Sequence, residues 1–254
     1  MTRAYYNGSR IVVWFSCGAA SAVAAKATLE DYPDARVRVV NNPIAEEDPD
    51  NARFLHDVQD WLGVEIEYAT NPRYPSNACV DVWDHRGVMS VPHGAPCTVS
   101  LKKRARQLWE DKNPHDYVVL GFTLDERKRH ERFVLTERDN VLPVLIDRRM
   151  TKQDCVDYLQ AEGLTLPRAY SLGYPNANCI GCVKATSPTY WNLVRETHPE
   201  VFAQRAEQSR RLGARLARVK NKRVFLDELD PQAIGRPLKT MAIECGIFCE
   251  EPEE

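Results

Sequence analysis

The sequence predicts an α/β protein: a doubly wound, mostly parallel sheet with a helical, partly irregular C-terminal extension. Three observations predict it. Apolar β-branched runs alternate with helical patterns from residue 11 to about residue 160. The connections between them are short enough for βαβ units. The first apolar run leads through a Ser/Gly turn into an alanine-rich segment, and parallel sheets hold their ligands at such carboxyl ends of strands.

Ile11 to Phe15 reads as a buried strand, and the alanine-rich stretch Ala22 to Glu30 as a helix. Arg36 to Val40 is a second strand. Phe54 to Leu62 places Phe54, Leu55, Val58, Trp61 and Leu62 on one helical face. Val64 to Tyr68 alternates as a third strand. Residues 70 to 97 carry Pro, Asn and Gly and read as a long loop around a short helix. Leu101 to Trp109 is a basic helix and Tyr117 to Gly121 a fourth strand. Val141 to Ile146 is a fifth strand only at an edge, because Pro143 donates no ladder hydrogen bond. Thr151 followed by Asp154 has the form of a capping box that opens a helix through Leu159. Tyr190 to Val219 reads as mostly helical, and Asp227 to Glu254 has little periodicity. Residues 1–189 are thus expected to form the α/β domain, with 190–254 as an extension packed on the same core.

The composition excludes several classes. The chain has 254 residues, a net charge of -2 and eight cysteines. Its length gives it no need of disulfide staples, no apolar run is long enough for a membrane span, and residues 1–10 lack the apolar stretch of a signal peptide. A cytoplasmic protein with free cysteines is expected, and such cysteines are commonly ligands or reactive thiols.

The turn after the first strand is Ser16-Cys17-Gly18-Ala19-Ala20-Ser21. Backbone N–H groups, two hydroxyls and a helix N-terminus together suit a phosphate or sulfate. The plain alternative is that Gly18 and the alanines only permit close strand–helix packing. The turn resembles the PP-loop of adenine-nucleotide alpha-hydrolases, the superfamily of ATP pyrophosphatases and PAPS (phosphoadenylyl-sulfate) reductases. Ser16, Gly18, Ala19 and Ser21 match the reductase form, which like this chain lacks the Asp that ATP pyrophosphatases carry where Ala20 stands here. The resemblance implies that Ser16 to Ser21 hold the phosphates of an adenine nucleotide: PAPS, APS or ATP.

Cys179 and Cys182 form a Cys-x-x-Cys pair that can chelate one metal centre. Their segment, Gly173 to Cys182, resembles the Gly-Tyr-Pro-Ser-Ile-Gly-Cys segment of sulfonucleotide reductases in a shifted register. Cys97 lies 85 residues before Cys182, a spacing similar to the family's, in a Cys-Thr-x-x-Leu-Lys form closer to the DNA phosphorothioation sulfurtransferases. That branch combines a PP-loop with a [4Fe-4S] cluster. Glu244-Cys245-Gly246-Ile247 resembles the terminal Glu-Cys-Gly-Leu-His of PAPS and APS reductases, with Phe248 in place of the His. The resemblance implies that Cys245 is the nucleophile on the sulfonate sulfur, and that an external thiol such as thioredoxin resolves the product. Cys97, Cys179 and Cys182 are then cluster ligands, with Cys249 or Cys245 as the fourth. A three-cysteine cluster with an open iron, a structural zinc and unmetallated thiols are the alternatives. Cys17, Cys79 and Cys155 have no partner by spacing and are expected to pack in the core.

Two basic clusters complete the reading. Arg127 and Arg129 follow the fourth strand and its Gly121; the resemblance implies that this region contacts the substrate's phosphate or sulfate, and guanidinium binds such groups bidentately. A solvated charged loop with Asp125, Glu126 and Glu131 is the alternative. Between Arg205 and Arg223 stand eight Lys or Arg and one acid, Glu207. Read as a helix, Arg211, Arg215, Arg218 and Lys222 share one face, which suits a nucleic-acid backbone or a surface neutralised by the acidic tail. Two activities follow as expectations: reduction of a sulfonucleotide, or ATP-dependent sulfur transfer to DNA or RNA. A nucleotide- and metal-binding regulatory module is the non-enzymatic alternative.

Overall fold

The computed structural model describes residues 6–90 and 94–238. In chain order the elements are β1 (Arg10–Phe15), α1 (Ala19–Asp31), β2 (Arg36–Asn41), α2 (Asp50–Leu62), β3 (Ile66–Tyr68), α3 (Cys79–Arg86), α4 (Arg104–Glu110) and β4 (Tyr117–Val119). There follow α5 (Arg127–Thr136), β5 (Val141–Leu142), α6 (Val144–Asp147), α7 (Lys152–Ala161), α8 (Arg168–Ser171), α9 (Pro188–Thr197), α10 (Pro199–Arg211), β6 (Ala217–Val219) and β7 (Lys222–Val224).

The chain divides into two compact units whose sequences interleave. Among the described residues, the first comprises 6–43, 49–69 and 107–168, the second 44–48, 70–90, 94–106 and 169–238. Residues 70–106 and 169–189 therefore belong with the C-terminal third, a different division from the expected boundary at 189.

The first unit is the parallel sheet. Its order is β3-β2-β1-β4-β5, and every neighbouring pair is parallel. The chain builds outward from β1 to β3, crosses back to β4 and builds outward again. The order reverses between β1 and β4, and that switch point is where open parallel sheets bind ligands. β1 is buried from Ile11 to Phe15, as a strand covered on both faces must be. α1 buries small residues on several sides, including Ala19, Ala22, Ala24, Ala25 and Ala27. Small side chains let it lie close to the sheet. Its Thr28 hydroxyl donates to the Ala24 carbonyl at 2.6 Å. β5 is a two-residue edge strand, and the chain turns into α6 directly after Pro143. At α7 the Thr151 N–H donates to Asp154 at 2.7 Å and the Asp154 N–H donates to the Thr151 hydroxyl at 3.2 Å, the expected capping box.

The second unit packs α3, α8, α9 and α10 around Trp83, Met89, Tyr190, Trp191, Leu216 and Leu226. The basic helix expected from residue 101 begins earlier, as a π-helical stretch over Thr98–Lys103 that runs into α4. Tyr190 to Val219 is mostly helical as expected, but the basic helix read over Arg205 to Arg223 is corrected beyond Arg211. α9 and α10 each open on a proline, Pro188 and Pro199, with His198 between them. α10 ends at Arg211, and Gly213 follows in the left-handed region with φ +67°. β6 and β7 then pair antiparallel around Lys220 and Asn221, whose φ values of 43° and 66° are those of a two-residue hairpin turn. Helical spacing of Arg211, Arg215, Arg218 and Lys222 is therefore a coincidence of sequence. Only Arg211 of the four lies in α10, and Arg205 is buried rather than presented to solvent.

An added Cβ at Gly213 meets nothing within 4 Å, so Gly213→Ala tests backbone conformation alone. Left-handed backbone costs an alanine roughly 1–2 kcal/mol, and urea unfolding of the variant is expected to lose about that. An unchanged midpoint would mean that Gly213 does not end α10.

Candidate functional site

Two sites stand out, one in each unit. In the sheet unit, β1 delivers the chain into Ser16 to Ser21. Cys17 takes a left-handed φ of 55°, unusual outside glycine. Asn41 of β2 supports the turn: its amide donates to the Phe15 carbonyl at 2.9 Å and lies 3.5 Å from the Cys17 sulfur. The Ser21 hydroxyl ties the loop together. It accepts from the Ser16 N–H at 3.1 Å and the Ser16 hydroxyl at 3.2 Å, and donates to the Gly18 carbonyl at 2.9 Å. α1 starts at Ala19 with Gly18 as its cap, and first-turn amides have no acceptor within their own helix. The loop itself contains no carboxylate. Gly121 follows β4 so closely that a Cβ there would stand 2.9 Å from the Ser21 nitrogen and 3.1 Å from the Ala20 carbonyl carbon. Backbone therefore lies against backbone at the switch point.

Arg127 and Arg129 lie on α5 rather than in a loop. Arg127 pairs with Glu131 at 3.3 Å and Arg129 with Glu126 at 2.5 Å, and the Arg129 guanidinium lies 5.3 Å over the Phe122 ring. Each guanidinium thus already shares its charge with a carboxylate.

The second unit brings Cys97, Cys179 and Cys182 into one pocket and adds Cys79 to it. Cys79 packs in the core as expected, and it also lines this pocket. It stands at the first turn of α3, with its thiol among the sulfurs of Cys97 and Cys179. The expected ligands Cys249 and Cys245 lie outside the described residues. Cys17 and Cys155 are buried in the other unit, and burial pushes the Cys155 thiol up to about 12.

The pocket is built by a few strong contacts. Tyr190, on α9, fixes the Cys179–Cys182 turn: its hydroxyl accepts from the Cys182 N–H at 2.9 Å and donates to the Cys179 carbonyl at 3.3 Å. Burial pushes the Tyr190 hydroxyl well above the usual phenol range, so it keeps the proton it donates. Gly181 sits in this turn at φ +71°. The Glu46 carboxylate accepts from the Cys79 and Val80 N–H groups at 2.8 and 3.1 Å, capping α3. The Glu46 carbonyl accepts from the Ile180 N–H at 2.9 Å.

Hydrogen bonding to the Cys179 and Cys97 sulfurs, followed by burial, holds the Cys79 thiol well above the usual range. Cys97 is lowered to about 7, first by the hydrogen bond from Cys79; burial and Glu46 oppose this, and the Trp83 indole and Lys184 assist. Although the Trp83 N–H favours the Cys97 thiolate, it meets hydrogen-bond geometry with no described group.

This donor set fits an iron–sulfur group. Four thiols surround one pocket, and a [4Fe-4S] cluster takes four. Lys102, Lys184, Arg205 and Glu46 also line it, with Lys102 3.9 Å from the Glu47 carboxylate. Two buried N–H groups, Trp83 Nε1 and Arg205 Nε, have no partner among the described residues. Among the described residues, no group of three or more His, Cys, Asp or Glu side chains is placed so that it could hold a metal ion.

Sequence reasoning missed Cys79, Glu46, Trp83, Tyr190 and Arg205. A fourth thiol was required by the stoichiometry of a cluster, and Cys79 lies just 18 residues before Cys97. Nothing local marks the other four.

No family model matches the chain, and no curated protein does. Among solved structures the chain is similar to the U34-tRNA thiolase NcsA from Methanococcus maripaludis with its [4Fe-4S] cluster, at TM-score 0.47 and 11% identity, covering 95% of this chain and 84% of that chain. No helix of the described residues is long and apolar enough to cross a membrane.

Each of Cys79→Ser, Cys97→Ser, Cys179→Ser and Cys182→Ser is expected to cut iron retained after anaerobic reconstitution at least twofold, while Cys155→Ser keeps it. Full iron in Cys79→Ser would remove that residue from the ligand set. Gly121→Val is expected to lower stability by about 1–3 kcal/mol through overpacking and to weaken adenine-nucleotide binding; calorimetry of both would expose an unaffected loop.

Proposed function

We propose that this chain is an adenine-nucleotide-dependent sulfurtransferase that carries an iron–sulfur group and modifies a nucleic acid. The observation that carries the reading is the gathering of Cys79, Cys97, Cys179 and Cys182 around one buried pocket. Those thiolates would hold the group, whose chemistry when bound is the handling of sulfur or of single electrons. The Ser16–Ser21 loop would hold the nucleotide's phosphates through backbone N–H groups, with Gly121 allowing the close approach at the switch point. The chain from Arg211 to Arg223 supports a nucleic-acid acceptor. It carries six Lys or Arg and no acid, and its exposed Arg218, Lys220, Lys222 and Arg223 lie on or beside the β6–β7 turn. A two-stranded ribbon with such charge suits phosphates.

A second reading, reduction of PAPS or APS by Cys245 with a thioredoxin-like reductant, is favoured by the loop's lack of a carboxylate. Ala20 offers nothing to a Mg²⁺ ion on a cleaved pyrophosphate. Cys79 would also release both Cys245 and Cys249 from ligand duty.

One assay separates the two. Anaerobic, iron-loaded full-length protein is given ATP with DNA or RNA and a sulfide source in one arm, and PAPS or APS with a thiol in the other. Nucleic-acid-dependent formation of AMP and pyrophosphate, with sulfur entering the nucleic acid, is the result expected. Sulfite release without it would support the second reading. Neither product in either arm would defeat both readings.

A further inference from the structure

We propose that Arg205 is an electrostatic positioning residue for the four-cysteine pocket, its Nε–H donating to the sulfur of the anionic group held there. The inference rests on the reading that this group is an iron–sulfur cluster.

Arg205 comes from α10, outside all three segments that carry the cysteines. Its side chain is 3% exposed, which is expensive for a cation unless its charge and donors are used. The other parts of the guanidinium are engaged. Nη1 donates to Gln208 at 3.0 Å, Nη2 lies 3.8 Å from a Glu46 oxygen, and the central carbon stacks 4.6 Å over the Trp83 ring. Nε is the exception: it is buried and without a partner among the described residues, and the side chain lines the pocket. Glu46 does not discharge the cation by itself. Its carboxylate already accepts two N–H groups from α3, and its approach to Arg205 is longer than a hydrogen bond.

Gly181 leaves the way to the Cys-x-x-Cys turn open. A Cβ on Gly181 would stand 3.2 Å from Arg205 Cγ and 3.5 Å from Nε. The glycine thus serves two needs at once, a left-handed backbone and room for the guanidinium. A donor held rigidly by a stack, a hydrogen bond and an ion pair needs no reorganisation to meet a sulfur anion.

The consequence is a direction of redox tuning. A cluster held by four thiolates is anionic, and taking up one electron adds one more negative charge. A buried cation and an N–H donor favour the reduced state more than the oxidised one, and hydrogen bonds to sulfur are among the levers on cluster potential. Removing Arg205 therefore lowers the potential.

The test is an equilibrium redox titration of anaerobic full-length protein with dithionite, followed by electron paramagnetic resonance of the reduced cluster. With iron content matched to wild type, Arg205→Met is expected to lower the reduced-to-oxidised ratio at fixed potential by about tenfold, equivalent to about 59 mV for one electron. Arg205→Lys keeps the charge beside Glu46 but loses Nε, and is expected to shift the ratio the same way by a smaller factor. Iron-loaded Arg205→Met with a ratio within twofold of wild type overturns the proposal. Should that variant fail to fold, an unshifted Arg205→Lys overturns it instead. Wild-type protein that takes up no iron defeats the underlying reading, and this inference with it, whereas iron uptake with unmoved potentials defeats the inference alone.

Discussion

The second unit depends on Glu46. One short segment, residues 44–48, is the only part of the chain between β2 and residue 70 that belongs to that unit. Its single buried carboxylate caps α3 where Cys79 begins, its carbonyl receives the Ile180 N–H inside the Cys-x-x-Cys turn, and its charge sits beside Arg205. Three distant stretches of sequence are thereby held to one residue. A carboxylate that accepts two backbone N–H groups at a helix N-terminus is in one of its most favourable protein settings. The neighbouring Glu47 is also matched, with Lys102 at 3.9 Å.

Around this anchor the pocket is biased toward an anion. Tyr190 is held protonated by burial and donates rather than accepts at the Cys179 carbonyl, and the unused donors are N–H groups. The sulfurs share protons unequally, Cys79 holding its own while Cys97 gives its up more readily. The loop at Ser16 follows a similar logic in the sheet unit. Ser21 and Asn41 shape the turn with side chains.

Much of the sheet was legible because its signals are local. β1 is an uninterrupted apolar run, α1 announces itself by alanine, and the Thr151–Asp154 pair marks the start of α7 by chemistry alone. Pro143 correctly told of an edge strand but not of its length, since the turn into α6 depends on packing. The pocket was only half legible. Spacing revealed Cys179 and Cys182, and resemblance drew in Cys97, but Cys79 meets them only through the fold. The basic segment misled because 3.6-residue spacing of Arg211, Arg215, Arg218 and Lys222 is also compatible with a turn and a ribbon. Gly213, Lys220 and Asn221 hold the backbone conformations that decide between them. Residues such as Trp83 and Arg205 carry no sequence mark of function, since a buried aromatic and a helical arginine are ordinary by themselves.

The central claim is that four thiols from three segments hold one iron–sulfur group. X-ray absorption at the iron edge, with iron and labile-sulfide counts on the anaerobically reconstituted full-length chain, tests it most directly. The account predicts about four irons and four sulfides per chain, with an all-sulfur first shell and iron–iron neighbours. Zinc alone in a sulfur shell, or reconstituted protein without bound metal, would contradict it.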